Sequence, residues 1–431
     1  MMLREVVMNL IVTVGTNPLP SFVVSDYFCR IDNLAIDRVY LIHSDEENMS
    51  SHSSTRKQAE AVRHLLERRL GRRICFLVPL KRISGSEIRD SLENFFRTED
   101  INGPIHLNYT GGTKAMAVQI PSFIKDKFKT DVTASYLDAR ECRVKYDDKA
   151  IASQEDVRSK VYLSICDLLE LHGYSKIDQP EMGNFPGVMH AIKELIEKGH
   201  IEKLINLGNK FVPTLYQEEG KSRPIEKPGR FKKRLEELGQ DKVRQMFSGL
   251  SEEAMYVLNS FPQEKCLLEE GTQIWVPGTE VTNDQYKART NHTVEFLKGK
   301  WLEELVAEKI IEYAEKNQLQ YGFNLKAKRE NLPDFELDAF LIKGYQLLAI
   351  SVTTSPARHL CKSKGFEVIH RSRQIGGDES RSILVTLMKQ TAARDLQAEL
   401  RVESGSSSDS FVVLDRSNYK DIGNYIDRLF S

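Results

Sequence analysis

Five short apolar runs in the first 150 residues, at 9–14, 38–43, 74–79, 105–109 and 132–137, alternate with segments of helical length. The segments 55–70, 84–98 and 113–127 carry apolar residues at helical spacing. A parallel neighbour strand is reached only through a crossover, so this alternation predicts a parallel sheet covered by helices. The expected class is α/β, opening with a doubly wound domain over 1–150. A last pair of runs, 132–137 and 142–146, is joined by Asp138-Ala139-Arg140-Glu141 and reads as a hairpin at one edge.

At 431 residues the chain exceeds one core, and two or three domains are expected. The middle, 151–290, reads as a connector, with amphipathic helices at 155–172 and 189–198 and an exposed loop at 218–233. An all-helical and a small winged-helix-like arrangement are both open there. The remainder, 291–431, reads as a third α/β unit. It holds a long helix at 294–317, an apolar strand pair, a helix near 356–364, strands at 366–370 and 382–387, a Ser/Gly loop at 403–410, and a terminal helix at 418–430.

The net charge is -1, so any nucleic-acid surface must be local. Six cysteines (Cys29, Cys75, Cys142, Cys166, Cys266 and Cys361) stand singly. That spacing argues against a zinc site or disulfide framework and predicts a reducing, cytoplasmic setting. No apolar run approaches the ~20 residues of a membrane helix, and no signal-peptide core is present, so no membrane partner is expected. No histidine lies in HExxH spacing and no Gly-X-Ser-X-Gly elbow occurs. His43 and His106 fall inside strands and read as packed residues.

Two loops fall at carboxyl ends of expected strands, where open α/β sheets bind ligands. One is Gly15-Thr16-Asn17-Pro18; the other is Asn108-Tyr109-Thr110-Gly111-Gly112-Thr113-Lys114, which opens a helix. Glycines allow close backbone approach, and free N–H groups at a helix start attract phosphate. A third loop, from Ser44 to Ser54, follows the second strand and can line the same crevice. The glycine loop also fits a plain strand-to-helix turn. It has neither Walker A spacing nor GxGxxG.

In the last unit, 335–354 reads FELDAFLIKGYQLLAISVTT: two apolar strands reversed at Lys343-Gly344. Asp338 is a carboxylate in an apolar strand, costly unless paired or metal-bound. Glu336 shares its face by strand alternation. Upstream, FLKGKWLEELV over 296–306 carries Glu303 and Glu304 on different helix faces. Downstream lie Lys362, Lys364, Glu367 and the basic group His370-Arg371-Ser372-Arg373, which fits either a phosphate contact or a solvated connection.

LIVTVGTNPLPS and HLNYTGGTKAMA, taken with this hairpin, resemble CRISPR-associated Rossmann-fold sensors joined to a PD-(D/E)XK-like nuclease domain. The resemblance covers 1–150 and 293–390 and is weak between them. It implies a homodimer that binds a cyclic oligoadenylate, usually cyclic tetra-adenylate, across its two-fold axis. Gly15, Thr16, Asn17, Ser44, Thr110, Gly111, Gly112, Thr113 and Lys114 then fall at that ligand. It further implies a restriction-endonuclease-like fold for the last unit, Mg²⁺ or Mn²⁺ as cofactor, and cleavage of DNA, RNA or both. Asp338 and a helix glutamate would hold the metal, Glu303 being preferred and Glu304 left open.

The match is incomplete. Ser351 stands where the family has an acid, and Thr353 where it has the catalytic lysine. Three arrangements are open: hydroxyls orienting water, a charge supplied from the next segment with Lys364 a candidate, or a dead nuclease site in a ligand sensor.

Overall fold

The computed structural model describes residues 7–30, 35–45, 54–99, 101–128, 132–148, 150–151, 155–177, 185–218, 223–271 and 273–431. Six strands form the first sheet: β1 (Val7–Thr13), β2 (Ala35–Ser44), β3 (Cys75–Leu80), β4 (Ile105–Asn108), β5 (Val132–Asp138) and β6 (Arg143–Tyr146). Their order is β3-β2-β1-β4-β5-β6, parallel throughout except for the antiparallel edge strand β6. Winding reverses between β1 and β4, so a crevice opens beyond their carboxyl ends.

The crossover helices are Leu19–Arg30, Arg56–Leu70, Gly85–Thr98 and Lys114–Phe128. The first has no visible period in the sequence for a physical reason. All ten residues from Leu19 to Phe28 are buried, so no polar stripe marks it.

The second sheet is mixed. It contains β7 (Ser175–Ile177), β10 (Gln320–Lys328), β11 (Phe335–Lys343), β12 (Gln346–Thr353), β13 (Arg381–Thr386) and β14 (Phe411–Leu414), in the order β14-β13-β12-β11-β10-β7. β7 comes from the middle of the chain yet pairs antiparallel with β10. The rest of the middle is a helical lobe, Pro186–Tyr216 and Pro228–Asn259, with a small wing of β8 (Leu268–Glu269) and β9 (Gln273–Ile274). No described helix is long and apolar enough to cross a membrane.

Three expectations are corrected. Residues 155–172 are not one helix: a 3-10 turn, Val157–Ser159, is followed by Ile165–Leu171, which starts at a Ser164/Asp167 capping box. The polar stretch 218–233 ends in helix, because Pro228 opens Pro228–Leu238 at its first turn, where a missing N–H costs nothing. Residues 366–370 are helical within Arg358–Gly376, and Cys361, Gly365, Val368, Ser372 and Ile375 line its buried side. The adjacent Val368 and Ile369 gave that segment its strand-like look. The serine-rich segment 46–53 lies outside the described residues.

One apolar cluster runs through both sheets, from Leu10, Val12 and Phe22 through Val161 and Leu168 to Leu325, Phe340 and Leu400. Apolar burial is worth roughly 25 cal/mol per Å², so a shared core of this kind couples the two sheets mechanically. Separate clusters fill the outer face of the first sheet and the seam between helical lobe and second sheet.

Candidate functional site

At the first sheet the two glycine loops meet backbone to backbone. A Cβ on Gly15 would lie 2.8 Å from the Gly112 amide nitrogen, closer than real side chains approach. A Cβ on Gly111 would strike the Thr13 carbonyl. The Thr13 hydroxyl donates to the Gly111 carbonyl at 2.6 Å, and Ser21 Oγ donates to the Thr13 carbonyl at 3.0 Å. Gly112 sits at φ +93°, a left-handed conformation that glycine adopts cheaply. The result is a concave rim on which Thr16, Gly112, Thr113 and Lys114 are exposed and Gly15 and Gly111 half-buried. The helix Lys114–Phe128 starts there, offering free N–H groups.

Three residues expected at the ligand are occupied elsewhere. Ser44 is 2% exposed, and its hydroxyl and amide interlock with Thr55, each amide donating to the other's hydroxyl at 3.0 Å. Thr110 donates to Asn108 Oδ1 at 2.7 Å and accepts from the Leu137 amide at 2.7 Å, pinning its loop to β5. Asn17 turns away from the rim. Its Oδ1 accepts from the Leu19 amide at 3.1 Å and lies 3.2 Å from His172 Nε2. The two strand histidines are packed as expected: His106 bonds Thr133 and Ser135 at 2.7 and 2.8 Å, and burial pushes its pKa down to about 4.

The second site forms at the open end of β11 and β12. The ladder pairs Ala339 with Ile350, so one step further Asp338 faces Ser351. Ser351 Oγ donates to Asp338 Oδ2 at 2.9 Å, and the Val352 amide donates to the same oxygen at 2.7 Å. Thr353 instead accepts from the Ser355 amide at 3.2 Å, which shapes the exit turn.

Glu303 reaches the site from the helix Trp301–Lys316. Burial raises its pKa, and the neighbouring Asp338 charge raises it further, while Lys300 opposes both. Lys300 Nζ donates to Glu303 Oε2 at 2.6 Å and to Asn324 Oδ1 at 3.3 Å. Burial alone would depress the Lys300 ammonium; Glu303, aided by Glu336 and Asp338, outweighs it, and the pKa is raised. Glu304 lies on the adjoining helix face. Burial, with Glu308 and Glu303 beside it, pushes its pKa up to about 7.

Lys364 supplies a second cation. Burial alone would lower its pKa, but Asp338, with Glu367 and Glu303, outweighs that and raises it. Lys362 is committed elsewhere, to Glu399 at 2.6 Å and Glu403 at 2.9 Å. The basic group at 370–373 is helical. Arg371 lies over the Phe335 ring at 4.9 Å and Arg373 donates to the Ser404 carbonyl at 2.9 Å.

Sequence reasoning missed Lys300 and Asn324. Lys300 had a signal, since it precedes Glu303 by three residues in KGKWLEE, one helical turn. Asn324 had none, because its place opposite Asp338 depends on the register of β10 against β11.

Among the described residues no three His, Cys, Asp or Glu side chains are gathered as a ready metal cluster. The donors present are two carboxylates, Glu303 and Asp338, the second of which acts on the first. That set fits Mg²⁺, which is commonly held by one or two carboxylates with water and substrate phosphate completing its shell.

No protein-family model matches the sequence, and no curated protein sequence matches it. Solved structures do match in fold. Protein VC1899 from Vibrio cholerae is similar with a TM-score of 0.63 at 14% identity, over 98% of each chain. Can2 from Sulfobacillus thermosulfidooxidans, solved in complex with cyclic tetra-adenylate, is similar with a TM-score of 0.58 at 14% identity, over 98% of this chain and 99% of that one. At such identities the likeness establishes fold. From end to end the chain shares their arrangement of a Rossmann-like parallel sheet, a helical lobe and a second, mixed sheet.

Proposed function

We propose that this chain is an ancillary effector of type III CRISPR defence. In this reading it is a homodimeric endonuclease, dependent on Mg²⁺ or Mn²⁺, that cuts DNA, RNA or both when a cyclic oligoadenylate, cyclic tetra-adenylate first among them, occupies the sensor. The observation that carries the reading is the second site. There Asp338, on a strand, raises the cost of charge on Glu303, on a helix, and the two acids act on two lysines, Lys300 and Lys364.

Glu303 and Asp338 would hold the cation, with Lys300 displaced from Glu303 to free that carboxylate. A bound divalent cation polarises the scissile phosphate and lowers the pKa of water. Ser351 orients Asp338 through its hydroxyl. Lys364, whose charge acts on both acids, would stand in for the missing strand lysine and, as an ammonium, orient the attacking water. At the sensor, exposed Gly112, Thr113 and Lys114 meet the ring phosphates, and the two-fold axis matches a cyclic ligand to two such rims.

A second reading has its own support: Ser351 and Thr353 are both engaged in hydrogen bonds, and among the described residues no three His, Cys, Asp or Glu side chains gather as a metal cluster. In that reading the last domain is a degenerate nuclease and the protein a ligand-controlled binder. Purified protein incubated with Mn²⁺, supercoiled or single-stranded substrate, and cyclic tetra-adenylate separates the two. Cleavage that disappears in Asp338→Ala supports the enzyme; absence of cleavage under every metal supports the binder.

A further inference from the structure

Asn17 stands in the loop whose glycine neighbour forms the sensor rim, yet its carboxamide is lodged against the other two parts of the chain. On one side is His172, from the segment that leads into the second sheet. On the other is the turn Gly377–Glu379, where a Cβ on Gly377 would overlap Asn17 Nδ2. Gly377 adopts φ +63°, so this close approach is built for glycine.

The hydrogen bonding around Asn17 is mismatched. His172 Nδ1 lies 2.9 Å from the Leu168 carbonyl, and Nε2 lies 3.2 Å from Asn17 Oδ1. Both partners are acceptors, and a neutral imidazole has one N–H, so in either tautomer one ring nitrogen faces an acceptor with no proton between them. Protonation would satisfy both, but burial holds the His172 pKa down to about 4. Turning the carboxamide over would give Nε2 a donor, at the loss of the bond from the Leu19 amide. Beside it Glu379 is 1% exposed, and its Oε2 has no hydrogen-bond partner. The Asn17 amide is near enough to lower the Glu379 pKa, although no hydrogen bond closes on that oxygen. Each arrangement of Asn17 thus leaves a different buried group unmet, so two arrangements can lie close in energy.

Glu379 leads onward to the nuclease strand. Its carbonyl accepts from Gln346 Nε2 at 2.8 Å and from Arg381 at 2.9 Å. Gln346 Oε1 accepts from Arg158 at 2.6 Å, and Arg158 is clamped by Asp156 at 2.7 Å. Gln346 is the first residue of β12, whose other end carries Ser351 against Asp338. Five residues of strand span roughly 17 Å, a stiff link.

Resting on the proposed ligand-gated reading, we propose that Asn17 is a positioning residue, and that ligand at the Gly15/Gly112 rim reaches β12 by resetting its contacts with His172 and the Gly377–Glu379 turn. The mismatch makes the reset cheap, and the buried network makes it directional.

The test uses the full chain with Asn17→Ala and with Asn17→Asp, which keeps an oxygen for the Leu19 cap but removes the amide donor. Cyclic tetra-adenylate is the probe. Its Kd, the ratio of cleavage rates with and without it, and amide exchange over 377–381 with metal chelated are measured. Affinity should stay within about 3-fold of the parent. The activation ratio should fall by at least about 5-fold, and the ligand-induced change in exchange should vanish. A parent that fails to bind the probe removes the ligand-gated reading and this inference with it. A parent that binds, beside variants that keep the parent's exchange response and any activation, overturns this inference alone.

Discussion

At the residue scale the decisive feature is an acid held in an apolar strand. Asp338 Oδ2 accepts from the Ser351 hydroxyl and the Val352 amide, so the half-buried carboxyl is hydrogen-bonded without a strand lysine. Asp338→Ala is expected to abolish metal-dependent cleavage, by on the order of 100-fold or more. It should also lower the Glu303 pKa, because a neighbouring negative charge is gone; carboxyl titration by NMR reads that shift. Lys364→Ala should cut the rate by roughly 100-fold and change the alkaline side of the pH–rate profile. A merely structural lysine would leave that profile in place.

Asp338 was legible as a candidate because a carboxylate stands out in an apolar strand, and Lys364 was one of three charged candidates on the segment that follows. Asn17 was legible as a loop residue but not in its role. Its partners His172 and Glu379 lie 155 residues or more away along the chain, and no local pattern encodes such a meeting.

At the scale of elements, periodicity announced what is half-buried and hid what is wholly buried. Arg56–Leu70, Gly85–Thr98 and Lys114–Phe128 were legible because each has one apolar face. Leu19–Arg30 was not, for want of a polar side, and β10 was obscured by Gly322 and the left-handed Asn324. The glycine loops form one element in function. Gly15→Ala must push the Gly112 backbone away and is expected to weaken cyclic tetra-adenylate binding by ~10-fold or more, read by calorimetry, while the fold persists.

The turn Gly377–Glu379 carries a pH signature. Burial pushes the Glu379 pKa up from 4.5 to about 7. The folded state therefore binds the proton more tightly than the unfolded chain. Stability contributed by the protonated form is lost as pH rises from about 4.5 through about 7, by on the order of 3 kcal/mol. Glu379→Gln should flatten that decline; a Tm measured from pH 5 to pH 8 that falls as steeply as the parent's would contradict it.

At the scale of the whole molecule, a rim on the first sheet and an acidic site on the second share one continuous apolar cluster. The helical lobe touches the acidic-site end of the second sheet as well, with Asn209 Nδ2 donating to the Thr354 carbonyl at 3.2 Å and Gly208 pressed on the Leu297 carbonyl. The strand–helix alternation of the first sheet was readable along the chain. The pairing of β7 with β10 was not, because a three-residue strand far from its partner leaves no pattern. If two rims share one ring, calorimetry should give about one cyclic tetra-adenylate per two chains.

The most direct measurement is the cleavage rate of a single-stranded or supercoiled substrate in Mn²⁺, with and without cyclic tetra-adenylate, in the parent and in Asp338→Ala. Cutting by the parent that rises with the ring and vanishes in the variant is the result expected. Cutting indifferent to the ring, or undiminished without Asp338, would contradict a gated nuclease built on Glu303 and Asp338.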